Sequence, residues 1–456
     1  MRHSRGLIPY TFVFLIGLSP QSLSAAESNL PLLQVDSELQ DNTPIPHAHD
    51  ILTLAAAEGM ALKDNSGLAS MASRAKAMAQ IPPQVGTLPD PHLSFDVMNL
   101  PVNTFSTTQE NMTQLKFGLS QDIPFPGKLK AKEEAAQFEA ESALYDVGET
   151  RLRLLRNVDI AWWNLFYLDR ALEIVKRNQA LLRQFIRIAE TKYKVGEGLQ
   201  QDVLLAQVEL SKLLDVDIQL VGARKNTTSS LNKLLNRATY LAITLPNKVM
   251  ETLPKLPTEI ELHRLAVNNR PLLASQNERI SAARKRVDLA QLDYYPDFKL
   301  GGGWGIRNGT NPANGQTRAD LASIGISLNL PIFTSTKQDR ALDQQKANVA
   351  KEQFSLQDQT EAVWAEASTA LADFIKTRDQ ASLFKEGIIP QASQTVDSML
   401  AGYQVNKVDF LNLVRSQITL YNYETLYWKA LTGANQSLAR LEAAVGKKIS
   451  KETEDE

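Results

Sequence analysis

The sequence repeats itself over most of its length, and this duplication restricts the possible folds more than any other feature. Two blocks of residues recur 207 positions later and a third recurs 210 positions later. The matched residues are Pro89, Asp90 and Leu93 with Pro296, Asp297 and Leu300; Gly118, Ser120 and Pro124 with Gly325, Ser327 and Pro331; and Tyr193, Val195, Gln207 and Leu210 with Tyr403, Val405, Gln417 and Leu420. We therefore expect one supersecondary unit that is used twice.

Each half contains two stretches in which apolar residues alternate with polar or small ones, as in strands with one apolar face. The alternating apolar residues are Leu93, Phe95, Val97, Leu115, Phe117 and Leu119, and then Phe298, Leu300, Trp304, Ile306, Ile324, Ile326, Leu328 and Leu330. This pattern predicts β-hairpins over residues 92–123 and 298–330. Strands of about ten residues can cross a bilayer when they are tilted.

Long helical stretches follow both hairpins. Residues 128–193 contain no proline and one glycine, and residues 336–386 contain neither. At 1.5 Å per residue the first stretch would form a helix of about 100 Å. Turn residues follow at 195–198 and 405–407, and Pro390 predicts a kink. We therefore expect long helical hairpins, of coiled-coil character, over residues 128–245 and 336–446.

The remaining segments complete the predicted domain organisation. Arg2, Arg5 and an apolar run of about 12 residues are typical of a signal peptide over residues 1–26, since a membrane anchor needs about 18 to 20 apolar residues. An N-terminal arm follows at 27–49. The first repeat spans 50–245 and opens with a helix over 50–80, a proline-rich connector spans 246–258, and the second repeat spans 259–446. The charged tail, 447–456, is expected to be disordered.

Four amphipathic strands cannot close a membrane barrel, because eight strands are the practical minimum. Several chains would have to share one barrel: two chains would supply eight strands and three would supply twelve, and only wider barrels leave room for a lumen. Gly118, Ser120, Gly325 and Ser327 fit the wall of such a lumen. A soluble sheet with one solvated face would show the same alternation, so this pattern alone leaves both interpretations open.

Composition excludes several functions. With 49 basic and 51 acidic residues the chain has no basic excess for nucleic acid, and without cysteine it has no disulfide, thiolate metal site or lipidated N-terminal cysteine. The pairs His47/His49 and Met98/Met112 indicate solvated or packed side chains rather than metal ligands. Residues 301–305 are glycine-rich but lack the Gly-Lys-Ser/Thr of a phosphate-binding loop. We expect that the protein binds no cofactor and is not an enzyme.

The order of hairpin, very long helix, Tyr-x-Val turn and return helix resembles the TolC family of trimeric outer-membrane channels over essentially the whole mature chain. Short motifs are similar to the heavy-metal efflux subgroup typified by CusC and CzcC. These motifs are Leu88-Pro89-Asp90-Pro91-His92-Leu93, Asn99-Leu100-Pro101-Val102 and Gln121-Asp122-Ile123-Pro124-Phe125-Pro126-Gly127-Lys128.

The resemblance implies an internally duplicated α+β membrane protein. Three copies would share a 12-stranded transmembrane β-barrel in outer-membrane lipid, continued by a long α-helical coiled-coil barrel through the periplasm. The homotrimer would serve as the exit duct of a tripartite pump, with a periplasmic adaptor (membrane fusion) protein and an inner-membrane transporter of the resistance-nodulation-division (RND) class. Drug efflux, type I protein secretion and a periplasmic coiled-coil scaffold without a pore are the alternatives.

The resemblance also implies two sets of functional residues. Contacts with the adaptor are expected at the two helical turns, at Val195, Gly196, Gly198, Leu199, Val405, Asn406, Lys407 and Val408. Asp202 and Tyr403 match residues that hold the entrance closed in the best-known member of the family, and a solvated helix residue is the alternative interpretation of Asp202. Val408 stands where the family has Arg, and Asn412 and Arg415 stand where it has acidic residues, so a gate here must use other contacts. Asn406 replaces a glycine, but Asn tolerates the left-handed conformation of the turn.

Overall fold

The computed structural model describes residues 51–449. The predicted signal peptide and N-terminal arm, including His47 and His49, lie outside the described residues, as do residues 450–456. The helices and strands are α1 (Leu54–Asp64), α2 (Ser66–Met78), α3 (Ile81–Gly86), β1 (His92–Met98), β2 (Gln114–Ile123), α4 (Lys128–Lys194), α5 (Gln200–Leu234), α6 (Glu259–Asn269), α7 (Pro271–Leu292), β3 (Phe298–Ile306), β4 (Leu321–Leu328), α8 (Gln338–Ser382), α9 (Ile389–Gln404) and α10 (Phe410–Val445).

The helix expected over residues 50–80 is not continuous. Asn65 adopts an extended conformation between α1 and α2, and its side-chain oxygen accepts the N–H of Leu68 at 3.0 Å. Its amide nitrogen donates to the carbonyl of Leu234 at 3.0 Å, which ties this break to the end of α5. The polar side chain of Asn65 is more favourable as an N-cap than inside a helix, so the chain forms α1, α2 and the short α3 instead.

The strands form one antiparallel sheet in the order β1-β2-β3-β4. Each predicted hairpin pairs internally, and β2 also pairs with β3, which joins the two repeats. Strand β4 ends at Leu328, two residues before the predicted end of its hairpin. At the next position the N–H of Asp297 donates to the side-chain oxygen of Asn329 at 2.5 Å, so a side chain takes the place of a backbone acceptor.

Helix α4 runs for 67 residues without interruption and packs along α5 and α7, while α10 packs along α8 and α4. No described helix combines the length and the apolar character that crossing a membrane would require. A buried aromatic group stabilises the middle of α4: Trp162 stacks on Phe166 at 5.7 Å, and its indole N–H donates to the carbonyl of Leu52 at 3.0 Å. This bond anchors the first described residues to the long helix.

The irregularity predicted at Pro390 takes the form of a π-helical turn, Leu383–Ile388, between α8 and α9. Pro390 lies in the first turn of α9, directly after the π-helical turn, and has no N–H to donate to that turn. The wider turn lets the chain continue from α8 into α9.

Part of the predicted disordered tail is ordered. Lys448 forms bonds of 2.6 and 2.7 Å with the carboxylate of Glu58 in α1, and the N–H of Ile449 donates to Glu442 at 2.9 Å. The side chain of Ile449 is buried beside α6, α8 and α10. An ion pair at Lys448 and burial of Ile449 therefore fix residues that composition alone would assign to a solvated tail.

Candidate functional site

The two faces of the sheet differ in chemistry. Residues paired across antiparallel strands lie on the same face, and the register places Phe117 opposite both Phe95 and Trp304. The rings of Phe95 and Phe117 are 5.0 Å apart. The same face carries Leu93, Val97, Leu115, Leu119, Phe298, Leu300, Ile306, Ile324, Ile326 and Leu328. All of these apolar side chains, except Leu115, are solvent-exposed in the single chain, which makes this an apolar outer surface without a covering layer.

The opposite face carries small and polar residues. The register brings together all four residues predicted to line a lumen, Gly118, Ser120, Gly325 and Ser327, with further small residues. The added residues are Ser94, Gly301, Gly303, Gly305 and Ser323. A Cβ atom on Gly303 would lie 2.5 Å from Cε of Lys116, so the lysine side chain lies across the sheet over this glycine. The glycines therefore keep this face flat and open.

Charged residues cluster at the end of this face that leads into the helices. Asp122 pairs with Nε2 of His92 at 3.4 Å and with Nζ of Lys299 at 3.5 Å. Residues 51–449 contain no group of three or more His, Asp or Glu side chains arranged to hold a metal ion. Asp122 is thus paired with a basic side chain on each neighbouring strand.

The two helical turns, here called tip 1 (residues 195–199) and tip 2 (residues 405–409), have the same backbone geometry. Gly196 has φ +78° and Asn406 has φ +57°, so Asn406 adopts the left-handed conformation that glycine adopts in tip 1. In tip 1 the N–H groups of residues 196 and 197 donate to the carbonyls of residues 193 and 192, at 3.1 and 2.8 Å. In tip 2 residues 406 and 407 donate to 403 and 402 at 3.2 and 2.9 Å. Both tips are Schellman C-caps.

The tips expose apolar side chains. Val195 is 64% exposed, Leu199 59% and Val405 62%. Lys407 is also exposed, and a side chain added at Gly196 would meet nothing within 4 Å. Exposed apolar residues at a turn that is otherwise well hydrogen-bonded are typical of a contact surface.

Below the tips the two helical hairpins pack on each other. Phe410 is buried and lies 6.5 Å from the ring of Phe185 and 5.1 Å from that of Tyr403. Leu182, Ala189, Ala206, Leu413 and Val414 complete this core. The tips are thus held at fixed positions by an apolar cluster.

Lys192, at the end of α4, connects tip 1 to tip 2. Its ammonium group donates to the carbonyls of Tyr403 at 2.9 Å and Gln404 at 3.4 Å, and to the side-chain oxygen of Asn406. It also lies 4.9 Å from the centre of the Tyr403 ring. A cation at the carboxyl end of α9 satisfies carbonyls that have no partner within the helix and interacts favourably with the helix dipole.

Asp202 and Tyr403, the predicted gate residues, interact electrostatically but are not hydrogen-bonded to each other. Burial, together with the nearby charge of Asp409, raises the pKa of Asp202. Burial and the charge of Asp202 raise the pKa of Tyr403. The buried hydroxyl of Tyr403 has no hydrogen-bond partner among residues 51–449. Lys192, by contrast, is hydrogen-bonded directly to residues of the other tip and its helix end.

No pattern in the sequence had marked Lys192 or Gly402, or the contact of Gly198 with Lys192. A Cβ on Gly198 would lie 2.9 Å from Cβ of Lys192, and one on Gly402 would lie 2.5 Å from Cγ2 of Val408. The repeat could have revealed these two contacts, because adding 210 to Lys192 gives Gly402 and adding 210 to Gly198 gives Val408. In each repeat one of the two positions is a glycine.

Comparison with known proteins identifies relatives of both repeats. Residues 67–237 and 262–447 match the family model described as outer membrane efflux protein. The chain is 20% identical over 400 residues to the cobalt-zinc-cadmium resistance protein CzcC of Cupriavidus metallidurans, covering 87% of this chain and 90% of that protein. It is 22% identical over 263 residues to the alkaline protease secretion protein AprF of Pseudomonas aeruginosa, covering 55% of this chain and 52% of AprF.

Solved structures share the fold. The outer-membrane channel OprN superposes with a TM-score of 0.74 at 17% identity, covering 86% of this chain and 89% of OprN. CusC, whose structures concern folding and transmembrane channel formation, superposes with a TM-score of 0.72 at 16% identity, covering 86% of this chain and 92% of CusC.

Proposed function

The chain belongs to the outer membrane efflux protein family, as the sequence predicted, and on this premise we propose that it is the outer-membrane exit duct of a tripartite efflux pump for heavy-metal cations. The duct conducts its substrate passively. A periplasmic adaptor and an inner-membrane RND transporter would deliver the substrate and supply the energy, and no catalytic residues are assigned.

One observation supports metal efflux over the alternatives: the similarity to CzcC extends over 90% of that protein, including both repeats. The similarity to AprF, whose name denotes protease secretion, covers about half of each chain. A relationship that includes both hairpins and both tips is the better guide to the pump with which a duct works.

The sheet supports a place for this duct in the outer membrane. Three chains would close a 12-stranded barrel, with the face of Phe117 and Trp304 toward lipid and the face of Gly118 and Gly303 toward the lumen. The chain would be exported by the cleavable signal peptide at residues 1–26. Because the sequence has no cysteine, it would be held by the barrel without an N-terminal lipid.

The tips support a docking role at the other end of the duct. Val195, Gly196, Gly198 and Leu199 with Val405, Asn406, Lys407 and Val408 would contact the adaptor, since these turns expose apolar side chains on a rigid frame. Asp202 and Tyr403 would belong to the entrance gate. Lys192, which bonds to residues at tip 2, would serve in place of the arginine that Val408 replaces.

Export of drugs or proteins is the second candidate function, and it rests on the similarity to AprF. The same duct geometry could serve either kind of substrate, because a lumen lined by small residues contacts its substrate only briefly. The substrate would then be chosen by the pump and the adaptor.

Growth inhibition separates these functions. Minimum inhibitory concentrations of copper, silver, zinc, cobalt, cadmium and a panel of hydrophobic drugs would be compared in a deletion strain and its complemented control. Sensitisation to one or a few metals alone is expected. Sensitisation to drugs but not metals would retain the duct and reject metal efflux, and no change in either class would favour protein secretion.

A further inference from the structure

His92 and Asp122 hold an imidazole nitrogen and a carboxylate oxygen at a separation that suits a shared metal ion. His92 begins β1 opposite Ser120, and Asp122 lies two residues further along β2, so both side chains lie on the small-residue face. Nε2 of His92 is 3.4 Å from the Asp122 carboxylate, whereas N–H···O hydrogen bonds are about 2.7–3.2 Å long. Two ligands about 2.1 Å from a tetrahedral metal ion lie about 3.4 Å apart.

Both groups are accessible and of the right chemistry. The side chain of His92 is 63% exposed and that of Asp122 41% exposed, so a hydrated ion can reach them. Imidazole nitrogen suits zinc, copper and other late transition metals, whereas magnesium prefers oxygen ligands and keeps its waters. No third His, Asp or Glu within residues 51–449 completes the set, so water would fill the other positions. Such a site binds metal weakly.

We propose that His92 and Asp122 form a transient binding site for the exported metal cation, at the end of the sheet that leads into the helices. This inference rests on the proposed function, because it places a contact for the substrate on the wall of the lumen. Each copy of the chain would supply one site, and a cation leaving the helical part of the duct would pass this ring. A conducting pathway needs sites that are weak enough to release the ion.

Lys299 keeps the site weak. It lies opposite Asp122 on β3, and its Nζ is 3.5 Å from the second carboxylate oxygen. A bound cation must share the carboxylate with this ammonium group, and the two like charges repel each other. The lysine therefore lowers the affinity for metal and favours release.

The repeat shows that this site occurs once in each chain. Adding 207 to His92 gives Lys299, and adding 207 to Asp122 gives Asn329. An ammonium group has no lone pair for a metal ion, and the side-chain oxygen of Asn329 accepts the N–H of Asp297. The second hairpin has the same strand pairing without these ligands, so the site comes from two side chains and not from the hairpin itself.

A second His–carboxylate pair provides a matched control. In α6, Nε2 of His263 lies 3.9 Å from Glu259, which is farther than two ligands of one tetrahedral ion. The same nitrogen is hydrogen-bonded to Ser368 at 2.9 Å. His263 thus has the same pair of ligand types nearby but not the required geometry.

Binding of Zn²⁺ to the purified, detergent-solubilised full-length protein tests the site. Isothermal titration calorimetry would be carried out in the background His47→Gln, His49→Gln, so that the histidines of the N-terminal arm do not contribute. Mg²⁺ is the comparison ion, and no heat that depends on His92 is expected with it. The heat-modifiable trimer would be recorded for every variant.

His92→Gln and Asp122→Asn should each weaken zinc binding by at least about tenfold, the loss that even an outer partner of a metal ligand causes. Lys299→Met should strengthen it by up to about fivefold, because one exposed opposing charge is removed. His263→Gln should leave it unchanged. Equal zinc affinity in His92→Gln and in the background protein would overturn the site, as would a loss confined to His263→Gln.

Growth in metal separates failure of the site from failure of the proposed function. His92→Gln should lower resistance to the metals that sensitise the deletion strain, although less than deletion does. Metal sensitivity of the deletion strain together with full zinc binding by His92→Gln would reject the site and keep the efflux duct. Zinc binding that depends on His92, in a protein whose deletion leaves metal resistance unchanged, would reject metal efflux and the role of the site in export.

Discussion

Each helical tip contains an equivalent contact between a glycine and a side chain, and Gly198 and Gly402 occupy opposite positions in these two contacts. In tip 1 Gly198 faces Lys192, and in tip 2 Gly402 faces Val408. The four residues are related in pairs by the shift of 210, so each tip has one side chain and one glycine at this contact. There is room for one side chain only: it stands on helix α4 at Lys192 in tip 1 and on the turn itself at Val408 in tip 2.

Replacing Gly402 with alanine should loosen tip 2. A glycine-to-alanine change in a helix is normally stabilising, but the new methyl group would lie 2.5 Å from Cγ2 of Val408, whose branched side chain is stiff. We expect a net loss of about 1–2 kcal/mol in local stability. Hydrogen–deuterium exchange over residues 400–412 measures it, and the double variant Gly402→Ala, Val408→Ala should restore protection.

Gly222→Ala is the matched control for this prediction. Gly222 lies within α5, and a Cβ atom there would meet nothing within 4 Å. This change should stabilise α5 by up to about 1 kcal/mol. Equal effects of the two substitutions would show that the contact between Gly402 and Val408 does not govern tip 2.

Replacing Lys192 with methionine should release tip 2 from α4. The variant keeps a similar apolar stem but loses the bonds to the carbonyls of Tyr403 and Gln404 and to Asn406. Hydrogen bonds from charged groups contribute about 1.5–3 kcal/mol. Faster amide exchange at residues 403–408 and a higher open probability in planar bilayers are expected. Lys194→Met, an exposed change two residues away, should alter neither quantity.

Stability should fall as pH rises because of Asp159. Burial, with a contribution from Glu58, raises the pKa of this carboxyl from 3.8 to about 8, while Lys448 opposes the shift and Glu442 adds to it. Between these values the folded protein keeps a proton that the unfolded chain releases, so stabilisation by this group is lost as pH rises toward 8. Thermal denaturation of detergent-solubilised protein between about pH 5 and about pH 8.5 would show this loss.

The variant Asp159→Asn isolates this contribution. It keeps the shape of the side chain without the charge, so the fall in melting temperature with pH should be smaller than in the unmodified protein. Asp358→Asn, an exposed carboxylate without an ion pair among the described residues, provides the comparison. An unchanged pH dependence in Asp159→Asn would contradict the assignment.

Removing Arg270 should destabilise the junction of α4, α7 and α10. Arg270 is buried and forms two bonds with Glu149, at 2.8 and 2.9 Å, and a third with the carbonyl of Ala443 at 2.6 Å. Burial would raise the pKa of Glu149, but its bonds to Arg270 and Arg153 outweigh burial and lower it. Arg270→Met therefore leaves a buried carboxylate short of its partner, at a cost of about 3–5 kcal/mol.

Guanidinium denaturation measures this loss as a lower transition midpoint. Arg284→Met is the control, because Arg284 is exposed and has no ion pair within residues 51–449. Similar midpoints for the two variants would show that the bonds of Arg270 to Glu149 and Ala443 contribute little.

Periodic features of the chain could be predicted from the sequence because they depend on local chemistry. Alternation placed Phe95 and Phe117 on strands, and the absence of proline placed residues 128–193 in one helix, which the structure continues to Lys194. The break at Asn65 was not predicted, because a capping residue differs from a helical one only through the contacts that it makes, and one of these joins Asn65 to Leu234, 169 positions away.

The contacts between the tips could not be predicted in this way. Lys192 bonds to residues more than 200 positions away, and nothing near it in the sequence distinguishes it from the other lysines of α4. Family resemblance suggested Asp202 and Tyr403 as gate residues, and the hydroxyl of Tyr403 has no hydrogen-bond partner among residues 51–449. Their part in a gate stays a prediction.

Placing charge on the tips should abolish efflux without harming the barrel. In the double variant Val195→Asp, Val405→Asp, two exposed apolar side chains become carboxylates, and burying them against an adaptor would cost several kcal/mol. Metal resistance is expected to fall to the level of the deletion strain, while the heat-modifiable trimer persists in the outer membrane. Minimum inhibitory concentrations and co-purification with the adaptor measure the two effects.

Val102→Asp provides the control for this surface. Val102 is 84% exposed, but it lies in the loop between β1 and β2, away from both tips in the sequence and in the fold. Its replacement adds one carboxylate at an apolar position that is more exposed than Val195 or Val405, so resistance should stay at the level of the unmodified protein. If the double tip variant also retained full resistance, the adaptor would have to bind elsewhere on the helices, because no apolar contact at Val195 and Val405 could accept two carboxylates without loss of affinity.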